Sequence, residues 1–196
     1  MQLGRKDRNK PRATQTRAGS CRLAAAGCAL ALSAVLAAPS AEAAIVTKAA
    51  PDFTLPSSAG ANLRLQEQRG QVVMINFWAT WCGPCKVETP WIVELRDKYA
   101  AQGFEVLGVD TEGDDLQPGD KAGWAKAEAN ASKFAADEKI PYPVLLDGDS
   151  ISREYGGLDD LPASFFVDRS GKVVVATVGL TSESDIEGNI KKALEE

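Results

Sequence analysis

The sequence predicts an α/β domain with a central mixed β-sheet flanked by helices, and three observations carry that prediction. The run from Val72 to Trp78 is almost unbroken apolar, begins after Gly70-Gln71 and leads into residues with helical spacing, which is the pattern of a fully buried central strand followed by a helix. A second such run, Phe104 to Asp110, follows that helix, and a strand–helix–strand unit of this length closes as a right-handed parallel crossover. Near the C-terminus two strand-like runs flank Arg169-Ser170-Gly171, the signature of an antiparallel hairpin. A parallel unit and a hairpin in one sheet make it mixed.

The elements follow in order. The chain has 196 residues, no histidine, four cysteines and a formal net charge of −5. Residues 1–22 carry seven basic side chains against one acidic, then Leu23 to Ala38 is uncharged and rich in Ala and Leu, and Ala41-Glu42-Ala43 is a small-x-small site. This is the pattern of a signal peptide over 1–43, with an uncleaved membrane anchor as the alternative. Its removal leaves fifteen basic against twenty-five acidic residues, a surface that repels nucleic acid and anionic lipid, so neither is an expected partner. Removal also takes away Cys21 and Cys28, leaving Cys82 and Cys85 alone and excluding a multi-disulfide scaffold.

Residues 44–50 read as a flexible leader and 51–196 as the folded domain. Phe53 and Leu55, then Leu63 and Leu65, alternate with polar neighbours across Ser57-Ser58-Ala59-Gly60, predicting an opening hairpin. Val87, Trp91, Leu95 and Tyr99 give the first helix an apolar stripe, Pro90 interrupts its hydrogen-bond ladder, and Gly103 ends it. The acidic stretch Thr111 to Lys121, with its glycines and Pro118, reads as an exposed loop. A second helix over Gly123 to Lys139 places Trp124, Ala127, Ala131, Phe134 and Ala135 on one side. A short strand follows within Tyr142 to Asp147, then one or two helical turns from Ser150 to Tyr155. The last helix, from Thr181, carries Ile186, Ile190 and Leu194 inward, with Ser184 and Glu187 spaced as a capping box.

The chemistry gathers at Trp81-Cys82-Gly83-Pro84-Cys85, where the central strand hands over to the helix. A helix N-terminus favours negative charge, so a thiolate is stabilised there. Two intervening residues bring both sulfurs to one face, which suits a reversible disulfide, a structural disulfide or half of a zinc site. Zinc needs four nitrogen or sulfur ligands, and no histidine or further nearby cysteine exists, so no metal site is expected and a redox pair is the favoured reading.

The stretch from Asn76 to Glu88, with its WCGPC centre, resembles the active site of thioredoxin-fold proteins, and more closely that of the TlpA/ResA-type thiol:disulfide oxidoreductases; the PDF-L opening at Pro51 to Leu55 is similar to theirs. The resemblance implies a thioredoxin fold with the N-terminal β-hairpin and a central βα insert. It implies no cofactor beyond a redox-active Cys82–Cys85 disulfide. Cys82 is then the attacking nucleophile and Cys85 the resolving residue. Thioredoxin itself has a buried Asp six residues before the first cysteine; this chain has Asn76, and an amide cannot take a proton. Glu88 matches a glutamate typical of ResA-like proteins and becomes the candidate acid/base. Pro162 matches the cis-proline that lies against the disulfide, Leu161 would face substrate, and Trp81 with Gly83 and Pro84 would form the rim.

A Gly-Pro dipeptide without histidine stabilises the thiolate less than the pairs of strongly oxidising relatives, which favours a reductase. The implied partners are disulfides of exported proteins, such as apocytochromes c in cytochrome c maturation or copper-site proteins, with a membrane thiol donor to recharge the enzyme. A periplasmic monomer, free or anchored to the inner membrane, is expected. Two alternatives use the same cysteines. Copper(I) capture suits soft sulfur ligands. A thiol peroxidase would need threonine three residues before Cys82, where Ala79 stands.

Overall fold

The computed structural model describes residues 45–196 except 114, 115, 117, 118 and 159. The expected signal peptide over 1–43 lies outside the described residues. Within them no helix is long and apolar enough to cross a membrane.

Five strands form one sheet in the order β5-β4-β3-β6-β7: β3 (Val72–Trp78), β4 (Phe104–Asp110), β5 (Val144–Leu145), β6 (Ala163–Val167) and β7 (Val173–Val178). β3 runs parallel to β4 and antiparallel to β6, so the sheet is mixed as the crossover and the hairpin required. All seven residues of β3 are buried, because both faces of the sheet are covered. Val72 and Met74 pack on one side with Ile92, Leu95 and Tyr99 of α1 (Gly83–Tyr99) and Ile186 and Ile190 of α3 (Glu183–Glu195). Val73, Ile75 and Phe77 pack on the other with Phe53, Leu55, Leu65 and Tyr155. This two-sided burial is why alternation is absent from the β3 sequence.

The opening hairpin, β1 (Thr54–Pro56) and β2 (Asn62–Arg64), is present and lies along the outer edge of β5, where Leu146 N–H donates to Pro56 and Ser58 N–H to Val144. It thereby covers an edge that would otherwise expose unpaired backbone groups.

Four expectations need correction. The leader is not loose from Ile45 onward. Ile45 is buried in the core, Ala49 bridges Lys172, and Thr47 N–H donates to Val173, so these residues are laid along β7 and satisfy its free edge. The buried stripe of α1 runs through Cys85, Glu88, Ile92, Leu95 and Tyr99, while Val87 is exposed. A stripe drawn only through apolar residues is therefore rotated by about one position, and the true stripe carries a glutamate inward. Helix α2 (Lys121–Asp137) starts two residues earlier than expected, because the Asp120 side chain accepts from Gly123 N–H as its cap. The capping box of α3 is Ser182 with Asp185 rather than Ser184 with Glu187. Glu187 instead turns to α1, accepting from Tyr99 at 2.5 Å and pairing with Lys98 and Lys191.

Candidate active site

Cys82 caps the N-terminus of α1, and its Sγ accepts the Cys85 N–H at 3.2 Å. The two cysteines form a disulfide with their Cα atoms 5.3 Å apart. The strand end of β3 fixes the first cysteine and the first helical turn fixes the second, so Pro84, at a position where helix N–H groups have no internal partner, costs no hydrogen bond. Cys82 is 4% exposed and Cys85 1%.

A cavity of about 310 Å³ opens over Cys82 and does not include Cys85. Trp81, Gly83 and Pro84 line one part of it and Leu161 another, with Thr111 and Asp149 between. Trp81 is 65% exposed, the most open large apolar side chain among the described residues. The Leu161–Pro162 peptide bond is cis, and Pro162 is buried beside the cavity wall formed by Leu161. All five rim and proline residues expected from the sequence thus gather at one end of the sheet.

Glu88 lies one helical turn beyond Cys85 on the same inward face and is 3% exposed. Asn76 of β3 donates one N–H to Glu88 Oε1 at 2.7 Å and the other to Ser164 Oγ of β6 at 3.0 Å. Asn76 and Ser164 are register partners across the sheet, so the amide clamps a helix carboxyl to two strands. Burial pushes the Glu88 carboxyl up to about 7, against a smaller lowering by the Asn76 hydrogen bond. A carboxyl that titrates at neutrality can both accept and return a proton. The buried carboxyl on the inward face of the pair is thus a glutamate of α1 held by the Asn76 amide, while β3 itself carries no acid there.

Sequence reasoning missed Ser164 and a second group, Asp110. Ser164 was legible only by pairing β6 with β3 in register. Asp110 ends β4, is 3% exposed, and is pushed up to about 8 by burial first and then by the charges of Glu112 and Asp149. It accepts the Glu112 N–H, while its Oδ1 has no hydrogen-bond partner. Glu112 is held by the Thr80 hydroxyl and by the Asn130 amide of α2 at 2.6 Å. The place of position 110 at the end of a buried strand was readable; the acids packed around it were not.

The raised value has a stability consequence. The folded protein keeps a proton on Asp110 that the unfolded chain has released above its ordinary carboxylate range, so stability present at low pH is lost as pH rises toward about 8. Asp110→Asn, neutral and of the same shape, is expected to raise the unfolding midpoint at pH 8 by about 5–10 °C, equivalent to roughly 2–4 kcal/mol. The decline between pH 5 and 8 should flatten; thermal scans across that range check it, and an unaltered slope would place the titration elsewhere.

Comparison with known proteins gives a consistent picture. The AhpC/TSA family pattern matches residues 46–176. The thiol-disulfide oxidoreductase ResA of Bacillus thuringiensis (strain Al Hakam) is 32% identical over 148 residues, covering 75% of this chain and 78% of that protein. ResA of Geobacillus thermodenitrificans is 33% identical, covering 74% and 76%. A crystal structure of a thiol:disulfide interchange protein of the thioredoxin family from Chlorobium tepidum superposes with a TM-score of 0.61 at 28% identity, covering 74% of this chain and 95% of that one.

Proposed function

The chain belongs to the AhpC/TSA family and is a thiol-disulfide oxidoreductase of thioredoxin fold, and from that premise we propose that it is an exported reductase of protein disulfides working through Cys82, Cys85 and Glu88. The observation that carries this reading is the asymmetry of the pair: Cys82 lines the cavity between Trp81 and Leu161, while Cys85 is enclosed on the face it shares with Glu88. In the dithiol form, the Cys82 thiolate attacks one sulfur of a substrate disulfide. A mixed disulfide forms, and the displaced substrate sulfur leaves as a thiolate that takes up a proton. Glu88 removes the Cys85 proton, and the Cys85 thiolate attacks Cys82 Sγ. The second substrate thiol leaves, and two electrons have passed to the substrate while the enzyme ends as the Cys82–Cys85 disulfide.

The basic, then apolar, N-terminal pattern supports export to the periplasm, where a membrane thiol donor would have to restore the dithiol. Disulfides of apocytochromes c or of copper-site proteins are the substrate class this places within reach. The peroxidase alternative is disfavoured by the surroundings of the cysteine: Ala79 stands at the threonine position, and the Thr80 hydroxyl is engaged by Glu112.

The test is the reduction potential of the Cys82–Cys85 couple together with turnover of a protein disulfide. We expect a potential nearer the roughly −270 mV of thioredoxin than the roughly −120 mV of the strongest oxidants of the fold. A value at the oxidising end would overturn the reductase direction. Copper(I) binding above that of a Cys82→Ser control would instead favour metal capture.

A further inference from the structure

A second cavity has a volume of about 370 Å³. Consecutive stretches of chain line the two: Asp110 borders the second and Thr111 the first, Asp147 the second and Asp149 the first. Asp110 contributes a carboxyl oxygen that is buried and has no hydrogen-bond partner. Glu128 of α2 and Asp147 add two more carboxylates, and Trp124 adds an aromatic ring. No lysine or arginine lines either cavity among the described residues.

A buried carboxyl is comfortable only with a hydrogen-bond donor, a proton or an opposite charge, and the groups around Asp110 are further acids. A bare metal ion fits poorly, since the described residues hold no group of three or more His, Cys, Asp or Glu able to grip one. An organic cation on an apolar stem fits well. Its N–H groups supply the donors that the Asp110 carboxyl lacks, its charge answers the carboxylates of Glu128 and Asp147, and the ring of Trp124 favours a cation over its face. The source that position favours is the polypeptide engaged at Cys82, because close chain neighbours line both openings, Thr111 and Asp149 the one over Cys82 and Asp110 and Asp147 this one.

We propose that the cavity bordered by Asp110, Trp124, Glu128 and Asp147 receives a lysine or arginine side chain of the polypeptide whose disulfide Cys82 exchanges, so that the enzyme selects disulfides with a cationic residue close by. The inference rests on the exchange reading above and adds its substrate class. The excess of acidic residues over 44–196 acts in the same sense at longer range, by drawing cationic chains toward the site.

Two synthetic peptides test it, each with one internal disulfide and identical except for lysine or glutamine on either side of the cysteines. Reduced full-length enzyme is given each in turn, and kcat/KM is measured at low and high salt. The lysine peptide is expected to be favoured about tenfold at low salt and less at high salt. In Asp110→Asn and, separately, Glu128→Gln the lysine-to-glutamine ratio should fall toward one. A ratio near one in the unaltered enzyme, or the same ratio in both variants, overturns the proposal. Glu128 is on the exposed side of α2, so its variant carries the test without touching a buried group. Failure to reduce either peptide is a different result, which would sink the exchange reading itself.

Discussion

Cys85→Ser is expected to turn the enzyme into a trap. The variant keeps Cys82 at the helix N-terminus and on the cavity wall, so attack on a substrate disulfide still occurs. What is lost is the second attack, because a serine hydroxyl cannot displace the mixed disulfide at neutral pH. Turnover should fall by at least about 10³-fold, while a stable Cys82–substrate adduct accumulates, visible on a non-reducing gel and in the intact mass. Cys82→Ser should be equally inactive and give no adduct, because Cys85 is enclosed and does not border the cavity over Cys82. The reverse pattern, with Cys82→Ser trapping substrate, would exchange the two roles. Burial supplies the argument here more than acidity does, since both sulfurs sit in the first helical turn and only one meets the opening.

Glu88→Gln is expected to remove the inflection near pH 7 from the rate of exchange and to slow turnover by about 100-fold at neutral pH, the lower end of what acid–base catalysis usually contributes. The glutamine keeps an oxygen that can accept from Asn76, so the clamp to β3 and β6 survives and the change is in proton chemistry. The same substitution has a stability signature with a definite sign. Glu88 is held at about 7 against an ordinary 4.5, so the folded state binds a proton more tightly than the unfolded chain. Stability from this group is complete below 4.5 and is lost as pH rises through about 7. The loss is on the order of 3 kcal/mol. Glu88→Gln should flatten that decline, as read by denaturant midpoints at pH 5 and pH 8. A rate profile and a stability profile both unmoved by the substitution would exclude Glu88 as the proton carrier. Movement of stability without movement of the rate profile would leave it a buried acid with no part in exchange.

The two predictions depend on different kinds of information. Cys82, Cys85, Trp81 and Pro84 were legible in the sequence because their positions follow from one strand and one helix start, which local pattern reports well. Pro162 and Leu161 needed the resemblance, for nothing in an isolated Leu-Pro dipeptide says which part of the sheet it will face. Glu88 was proposed as a candidate from the same resemblance, but its burial contradicts the apolar stripe drawn through Val87 and Trp91. A search for apolar residues cannot find a face that includes a buried glutamate, so that glutamate displaced the periodic signal. The leader failed for a related reason: residues 45–50 have no strand pattern of their own and gain order only from the free edge of β7.

By itself, then, the sequence determined the order of the elements, the mixed sheet, the position of the redox pair and the surplus of negative charge. These follow from periodicity, turn residues and composition, all of which act between near neighbours in the chain. Only the tertiary structure decided that Asn76, Glu88 and Ser164 form one hydrogen-bonded unit, although Ser164 is 88 residues from Asn76. It also decided that Asp110 is buried among other acids beside the Cys82 cavity. The physical reason is that the acidity of a carboxyl depends on the water removed from it and the charges brought near it. Both are set by which distant segments pack together, a property that spacing along the chain does not contain.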